Sequence, residues 1–223
     1  MSYPQRLFAP AAAVVLSAIL AGAPTLCLAD HHEGAAAQQE PASTPSAVVE
    51  TLQGTLLAYM RSASTAESRQ DLDVTALDQA VLASHDFAYI SRIVLGRTWR
   101  ELEDADRARF VERFTALSLA TYASRFAEFA GERFDINDES DGSFGQRRVS
   151  AELITAEKSH SFDYLLRQSD EQWRIVNIIV DGVSDLALKR AEYSTLISAG
   201  GFEGLLEALD RQRSALEEES AAS

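Results

Sequence analysis

The chain has 223 residues, and its 34 acidic side chains outnumber 20 basic ones, giving a formal charge of −14. That balance excludes a nucleic-acid partner, which needs a basic face, and it disfavours passive adsorption on anionic headgroups. One cysteine, Cys27, excludes an internal disulfide and any cysteine metal site.

Residues 1–29 have the three parts of a secretory signal peptide. Arg6 is the only charge, an apolar run extends from Leu7 to Ala23, and Cys27-Leu28-Ala29 ends in small residues at the cleavage positions. The run is short for a membrane span and Pro10 interrupts it, so cleavage after Ala29 is expected rather than a retained anchor. Pro24-Thr25-Leu26 ahead of Cys27 does not suit lipidation. Cleavage leaves 194 residues (223 − 29) with a charge of −15 (19 − 34) and no thiol, exported to the periplasm. Such a chain is long enough for one sizeable core.

Residues 30–46 are rich in Ala, Gln, Glu, Pro and Ser and carry no apolar period, which reads as a flexible linker. His31-His32 lies within it and reads as a solvated pair rather than a metal site. The folded domain is expected over 47–218, with a disordered tail over 219–223.

Ser46 can cap a first helix reaching about Met60, with Val48, Leu52, Leu56 and Tyr59 on one stripe. Residues 61–71 read as a loop, and Val74 to Ala83 as a short helix. Asp86 caps a third, carrying Phe87, Ile90, Val94 and Leu95 and ending at Gly96. A long helix is expected over 101–130, since Glu101, Glu103, Asp104 and Asp106 suit a positive helix end. At 100° per residue, Phe110, Phe114 and Leu117 fall together, while Val111, Tyr122 and Phe129, then Leu119 and Phe126, lie further round. This apolar arc is wider than one core contact needs. It suits a deeply buried helix, or one touching both a core and an apolar ligand.

After Gly131 the period changes. Phe134 to Ile136 is a short strand and 138–145 a turn-rich loop. Arg147 to Thr155 alternates, with Val149, Ala151 and Leu153 on one face, and Ser161 to Gln168 alternates as Phe162, Tyr164 and Leu166. A hairpin turn is expected at 156–160, containing His160. Residues 169–172 link to a third long strand, Trp173–Val180. Two helices close the chain, 185–198 and 203–218, parted by Gly200-Gly201. Helices followed by a meander make an α+β fold, a curved antiparallel sheet packed against several helices.

No catalytic constellation stands out. There is no glycine-rich phosphate loop, no Gly-x-Ser-x-Gly elbow, and no histidine pair at metal spacing within the folded part. His85-Asp86 and His160 are the only places for a His–carboxylate role, and Asp86 is more simply a cap. The sequence therefore reads as a binding protein rather than an enzyme, with no cofactor and no metal. Its apolar residues form either an ordinary core or the lining of a cavity.

One set of residues favours the cavity. Asp86-Phe87-x-Tyr89-Ile90-x-Arg92-x-Val94-Leu95-Gly96-x-x-Trp99, Arg109-Phe110-x-x-x-Phe114 and Thr121-Tyr122-Ala123 come first. Tyr164, Trp173-Arg174-Ile175-Val176, Asp181-Gly182-Val183-Ser184, Arg190, Tyr193, Gly200-Gly201 and Leu205-Leu206-x-x-Leu209 follow in order. Together, over about 48 to 210, they resemble the MlaC / toluene-tolerance family of phospholipid carriers. The resemblance implies a periplasmic lipid-binding protein that shuttles phospholipid between an inner-membrane ABC transporter complex and an outer-membrane lipoprotein complex. It implies acyl tails in a deep pocket between sheet and helices, with the headgroup near solvent. The lining expected here is Phe87, Ile90, Val94, Leu95, Phe110, Phe114, Leu117, Tyr122, Phe126, Tyr164, Val176 and Ile178. Asn177, Asp185 and Leu188-Lys189 depart from the family pattern. The run from Ser184 to Tyr193 is closer to the hopanoid-associated branch, HpnM, which leaves a hopanoid as the alternative ligand. From another class, a periplasmic adaptor or assembly protein with no ligand remains open.

Overall fold

The computed structural model describes residues 44–221 apart from 67 and 69–71, so the expected signal peptide and most of the expected linker lie outside the described residues. Six α-helices and five strands follow one another in it. They are α1 (Pro45–Thr65), α2 (Thr75–Ser84), α3 (Phe87–Leu95), α4 (Arg97–Glu101), α5 (Asp104–Arg125), β1 (Arg133–Asp141), β2 (Arg147–Ile154), β3 (Ser159–Ser169), β4 (Gln172–Val180), β5 (Val183–Ser184) and α6 (Asp185–Ala221). The strands form one antiparallel meander in chain order, β1-β2-β3-β4-β5. The expected α+β class is the observed one.

Local chemistry explains where the boundaries differ from the sequence reading. Thr44, not Ser46, caps α1, its hydroxyl accepting from the Ala47 amide at 3.2 Å, with Pro45 in the first turn. Ser46 instead gives its hydroxyl and amide to the Glu139 carboxylate on β1, at 2.5 and 3.2 Å. The helix also continues through 61–65, read as loop. That stretch has no Gly or Pro, and the hydroxyls of Ser62, Ser64 and Thr65 bond back to carbonyls within the helix.

Asp86 does cap α3, taking the Tyr89 amide at 2.9 Å, while its other oxygen takes Arg167 of β3 at 2.8 Å. Gly96 ends that helix at φ 56, and a Cβ there would meet the Arg190 guanidinium at 3.3 Å. The single helix expected over 101–130 is shorter. The chain breaks at Leu102–Glu103, where Arg107 donates to the Trp99 carbonyl at 2.9 Å and satisfies the end of α4. It stops again at Phe126. Beyond it, Glu132 accepts the Ala130 amide at 2.6 Å and turns the chain toward the sheet.

β1 runs to Asp141 rather than ending at Ile136. Its acidic second half looks like loop, but Arg147 holds Glu139 at 2.9 Å and Asp141 at 2.5 Å across the hairpin. His160 lies inside β3, not in a turn, and is buried. The C-terminal helices are parted at Gly201 (φ 68, ψ −168), as the glycine pair implies, and the second extends to Ala221, three residues into the stretch read as tail.

The core lies between the inner face of the sheet and the helices. Phe110, Phe114, Val94, Leu95, Tyr193, Leu205 and Leu209 join α3, α5 and α6, while Val49, Leu52 and Leu56 of α1 lie in the same cluster as Val149, Tyr164 and Leu166.

Candidate functional site

The strand register sets the inner face of the sheet. Val149 opposes Tyr164, which opposes Ile178. Ile136 opposes Ala151, then Phe162, then Val180, and Phe134 opposes Leu153, then His160. Side chains opposite one another share a face. A shift between Leu165 and Leu166 leaves Val176 as the extra residue of β4, so Ile175 and Ile178 both turn inward. The outward face is polar, as Ser150 bonding Asp163 at 2.6 Å illustrates.

Burial is uneven along this face. Leu166, Ile175, Val149 and Tyr164 are enclosed, yet Phe134, Ile136, Phe162, Ile178 and Val180 are only half-buried. The same gradient runs along α5. Phe110, Phe114 and Leu117 are buried, and Leu119, Tyr122 and Phe126 are half-buried. A filled core has no reason to leave aromatic side chains on an inward face half covered. Beside this wall a cleft of about 580 Å³ separates α1 from β1, lined by Glu50, Gln53, Gly54, Leu57, Phe134, Asp135 and Ile136. Gly54 faces open space, with no atom within 4 Å of where a Cβ would stand.

The buried imidazole His85 and the phenols Tyr122 and Tyr164 are neutral. His85 donates from Nδ1 to the Val81 carbonyl at 3.0 Å, so its Nε2 accepts from the Tyr122 hydroxyl at 3.1 Å. Burial pushes the His85 pKa down to about 4, against the opposing pull of the Val81 bond and of Asp185. Burial raises the Tyr122 phenol far above its ordinary range, and Tyr164 and Asp185 nearby add to it. Tyr164 is pushed up to about 12 by burial, although Gln53 donates to its hydroxyl at 3.3 Å. These groups can hold an uncharged ligand surface, but present no ionised partner for a charged one. His85 therefore bonds a backbone carbonyl and a phenol. His160 does pair with a carboxylate, Asp181, at 2.7 Å; that carboxylate also accepts the Ser161 amide at 2.9 Å and ties the β4–β5 turn to β3. Among the described residues no group of three or more His, Cys, Asp or Glu could hold a metal ion, and no helix is long and apolar enough to cross a membrane.

All twelve residues expected from the sequence fall in one packed cluster. Nine are buried: Phe87, Ile90, Val94, Leu95, Phe110, Phe114, Leu117, Tyr164 and Val176. Tyr122, Phe126 and Ile178 stand on the half-open wall. An aromatic chain links the two groups. Phe126 stacks on Tyr122, Tyr122 meets His85 edge-on, His85 stacks on Phe87, and Phe87 meets Phe114. The sequence places Phe134, Ile136, Phe162 and Val180 on strands, but neither these nor Gln53 and Leu57 are among its expected lining residues. Phe162 alternates in phase with Tyr164, and that signal was enough to place it on the same face.

The helices and the antiparallel sheet define an α+β domain with a half-open apolar interior. Its architecture is similar to that of a phospholipid-binding protein from Ralstonia solanacearum, solved in complex with a phospholipid. The TM-score is 0.65 at 19% identity, covering 77% of this chain and 96% of that one. The model of the MlaC protein family matches residues 50–211, and the chain belongs to that family.

Proposed function

We propose that this protein binds a phospholipid, its acyl chains against Phe134, Ile136, Phe162 and Ile178 of the sheet, Tyr122 of α5 and Phe126 at the C-terminal cap of that helix. The observation that carries the reading is that Phe134, Ile136, Phe162 and Ile178 of the inward face stay half-buried, although Val149, Tyr164 and Leu166 on the same face are enclosed. The expected lining at the deeper end, from Leu117 and Phe87 back to Phe110, Ile90, Val94 and Leu95, then forms the floor that keeps the wall in place. Neutral Tyr122, His85, Tyr164 and Gln53 offer no countercharge, so the phosphate stays at the solvent side.

The role follows from solubility. Each buried CH₂ is worth about 0.8 kcal/mol, so two chains of roughly thirty methylenes in all lose about 24 kcal/mol on entering water. A lipid crosses an aqueous gap only inside a carrier whose interior matches the bilayer. Family membership supports placing that carrier in the periplasm, exported by the segment 1–29. There it receives from and delivers to an inner-membrane ABC transporter complex and an outer-membrane lipoprotein complex, without catalysis.

Protein purified from its native host and extracted for lipid mass spectrometry tests this. A stoichiometric phospholipid is expected; consistently empty protein sinks the reading and promotes a ligand-free adaptor. Ile178→Trp, and Leu117→Trp one layer deeper, should lower the co-purified lipid while circular dichroism stays near wild type. A second ligand has one observation in its favour. The Tyr122 and Phe126 rings lie 17° from parallel and offer a flat face to a fused-ring hopanoid. Delipidated protein offered both lipids should retain the phospholipid; selective retention of the hopanoid reverses the assignment.

A further inference from the structure

The most exposed large apolar side chain among the described residues is Phe144, at 102% of its reference surface, against 51% for the next, Val183. It sits at the tip of the β1–β2 hairpin, in the 3₁₀ turn Ser143–Gly145. Its backbone is left-handed (φ 57, ψ 37). Of the other non-glycine residues at positive φ, Asp170, Glu171 and Asp181, each lies in a turn and each is acidic. A bulky aromatic is a far worse occupant of that region than Asp, Asn or Gly. Phe144 thus combines full exposure with a disfavoured backbone, and no ring or cation–aromatic contact returns anything to the fold. A glycine would serve the turn better.

What surrounds the ring says what it meets. It projects from a convex tip, so it is a plug and not a groove. The tip from Gly142 to Gln146 carries no charge, although 24% of the chain is charged. The turn closes on itself: the Gly142 amide donates to the Gln146 carbonyl at 2.8 Å, and the Gln146 amide to the Ser143 carbonyl at 3.2 Å. Such a tip can leave water without abandoning those two amides. Directly behind it, Arg147 bonds both Glu139 and Asp141 and offsets one of their two charges, and the exposed Arg148 balances the other. Two guanidinium groups one and two residues past an uncharged aromatic tip stand at the depth of lipid phosphates when the ring enters the interface.

We propose that the β1–β2 hairpin tip is a membrane-contact element, with Phe144 inserting into the interfacial layer of a lipid bilayer. The strongly acidic chain is repelled by anionic membranes as a whole, and this tip gives it one oriented, reversible point of contact. The inference is separate from the cavity reading: cavity lipid is read by mass spectrometry and membrane contact by flotation.

The test is co-flotation of the purified protein with phosphatidylcholine vesicles, which removes the general charge repulsion. The parent should float, and Phe144→Gly should lower the vesicle-bound partition by about tenfold. Because glycine accepts this backbone freely, the thermal midpoint of Phe144→Gly should hold or rise, and its cavity lipid should be unchanged. Phe144→Trp should still float, and its emission, less that of the parent, should shift to the blue on adding vesicles. A parent that stays in the aqueous layer overturns the proposal and leaves a protein pocket as the partner of the tip. Equal flotation of Phe144→Gly also overturns it. Should Phe144→Gly lose both flotation and stability, Phe144→Trp decides, a blue shift supporting membrane contact and an unmoved spectrum overturning it.

Discussion

The two halves of α5 carry similar side chains into different surroundings. Phe110 and Phe114 are stacked 5.8 Å apart, and Tyr193 of α6 closes on both edge-on at 5.9 and 6.1 Å. Tyr122 and Phe126, three and four turns on, are stacked at 5.9 Å but stay half-buried, facing an inner sheet surface that is half-buried too. Residue type does not separate these halves. What separates them is how completely other elements close the packing: α6 seals the first half, while the second receives His85 against Tyr122 and the Tyr59 hydroxyl of α1 on the Ala123 carbonyl and stays half-buried. Aromatic density on one helix therefore marks both a core and a binding wall, and only the completeness of enclosure tells them apart.

The comparison is broken most forcefully at Phe110. Truncation to Ala removes a ring packed on every side, and the cavity left behind should cost about 3–5 kcal/mol, read as a lowered denaturant midpoint at unchanged slope. A loss of under about 1 kcal/mol would mean that the helical half is as loosely enclosed as the wall.

His85 sits where the halves meet, and its titration gives the next largest effect. Its pKa is near 4 in the folded protein and about 6.5 when unfolded. Between those values the unfolded chain binds the extra proton, so stability is fully present above pH 6.5 and falls as the pH drops toward 4. The gap corresponds to about 3 kcal/mol at roughly 1.4 kcal/mol per unit. His85→Gln removes the titration while keeping an acceptor for the Tyr122 hydroxyl. Urea denaturation from pH 7 to pH 4 should show a steep decline for the parent and a shallower one for this variant. Parallel curves would show that His85 is not held neutral.

At the wall the effect on stability shrinks and the effect on ligand grows. Phe162→Ala removes a half-covered ring, and the empty protein should lose about 1–2 kcal/mol, less than at Phe110. Co-purified lipid should fall at least severalfold. Full lipid with a large stability loss would assign Phe162 to the core.

Most of the architecture was legible from period and punctuation. The 3.6-residue pattern located α1, α3 and α5, alternation located β2 and β3, the run Trp173–Val180 located β4, and Gly200-Gly201 located the break that falls at Gly201. The failures have a common cause, in that each depended on a partner distant in sequence. The acidic half of β1 is a strand because Arg147 and Ser46 receive its carboxylates. Ser46 is not the cap because it serves Glu139. The break before α5 follows from Arg107 reaching back to the Trp99 carbonyl. The site was legible only as a pool of apolar residues. Its division into floor and wall required knowing that Tyr193 covers Phe110 while no comparable side chain covers Phe126, and neither spacing nor composition encodes that.

The smallest expected effect tests what holds the closed half together. Arg109 of α5 grips Glu203 of α6 with two bonds of 2.8 Å and also takes Asp106 at 2.8 Å. The Glu203 and Asp106 carboxylates hold its guanidinium well above the usual range, and Glu203 is lowered in turn by Arg109. In drawn geometry this is the strongest link between the two helices. Both side chains are well exposed, however, at 39% and 65%, so water already solvates the charges that the pair would otherwise compensate. Salt screens what attraction remains. Beneath the pair, Phe110 and Tyr193 meet without water. If enclosure is what distinguishes the halves of α5, Arg109→Ala should leave the denaturation midpoint close to the parent's, with any small difference vanishing at high salt. A salt-resistant loss comparable to that of Phe110→Ala would instead make the surface clamp, and not the sealed aromatic contact, the reason α6 closes this end of the helix.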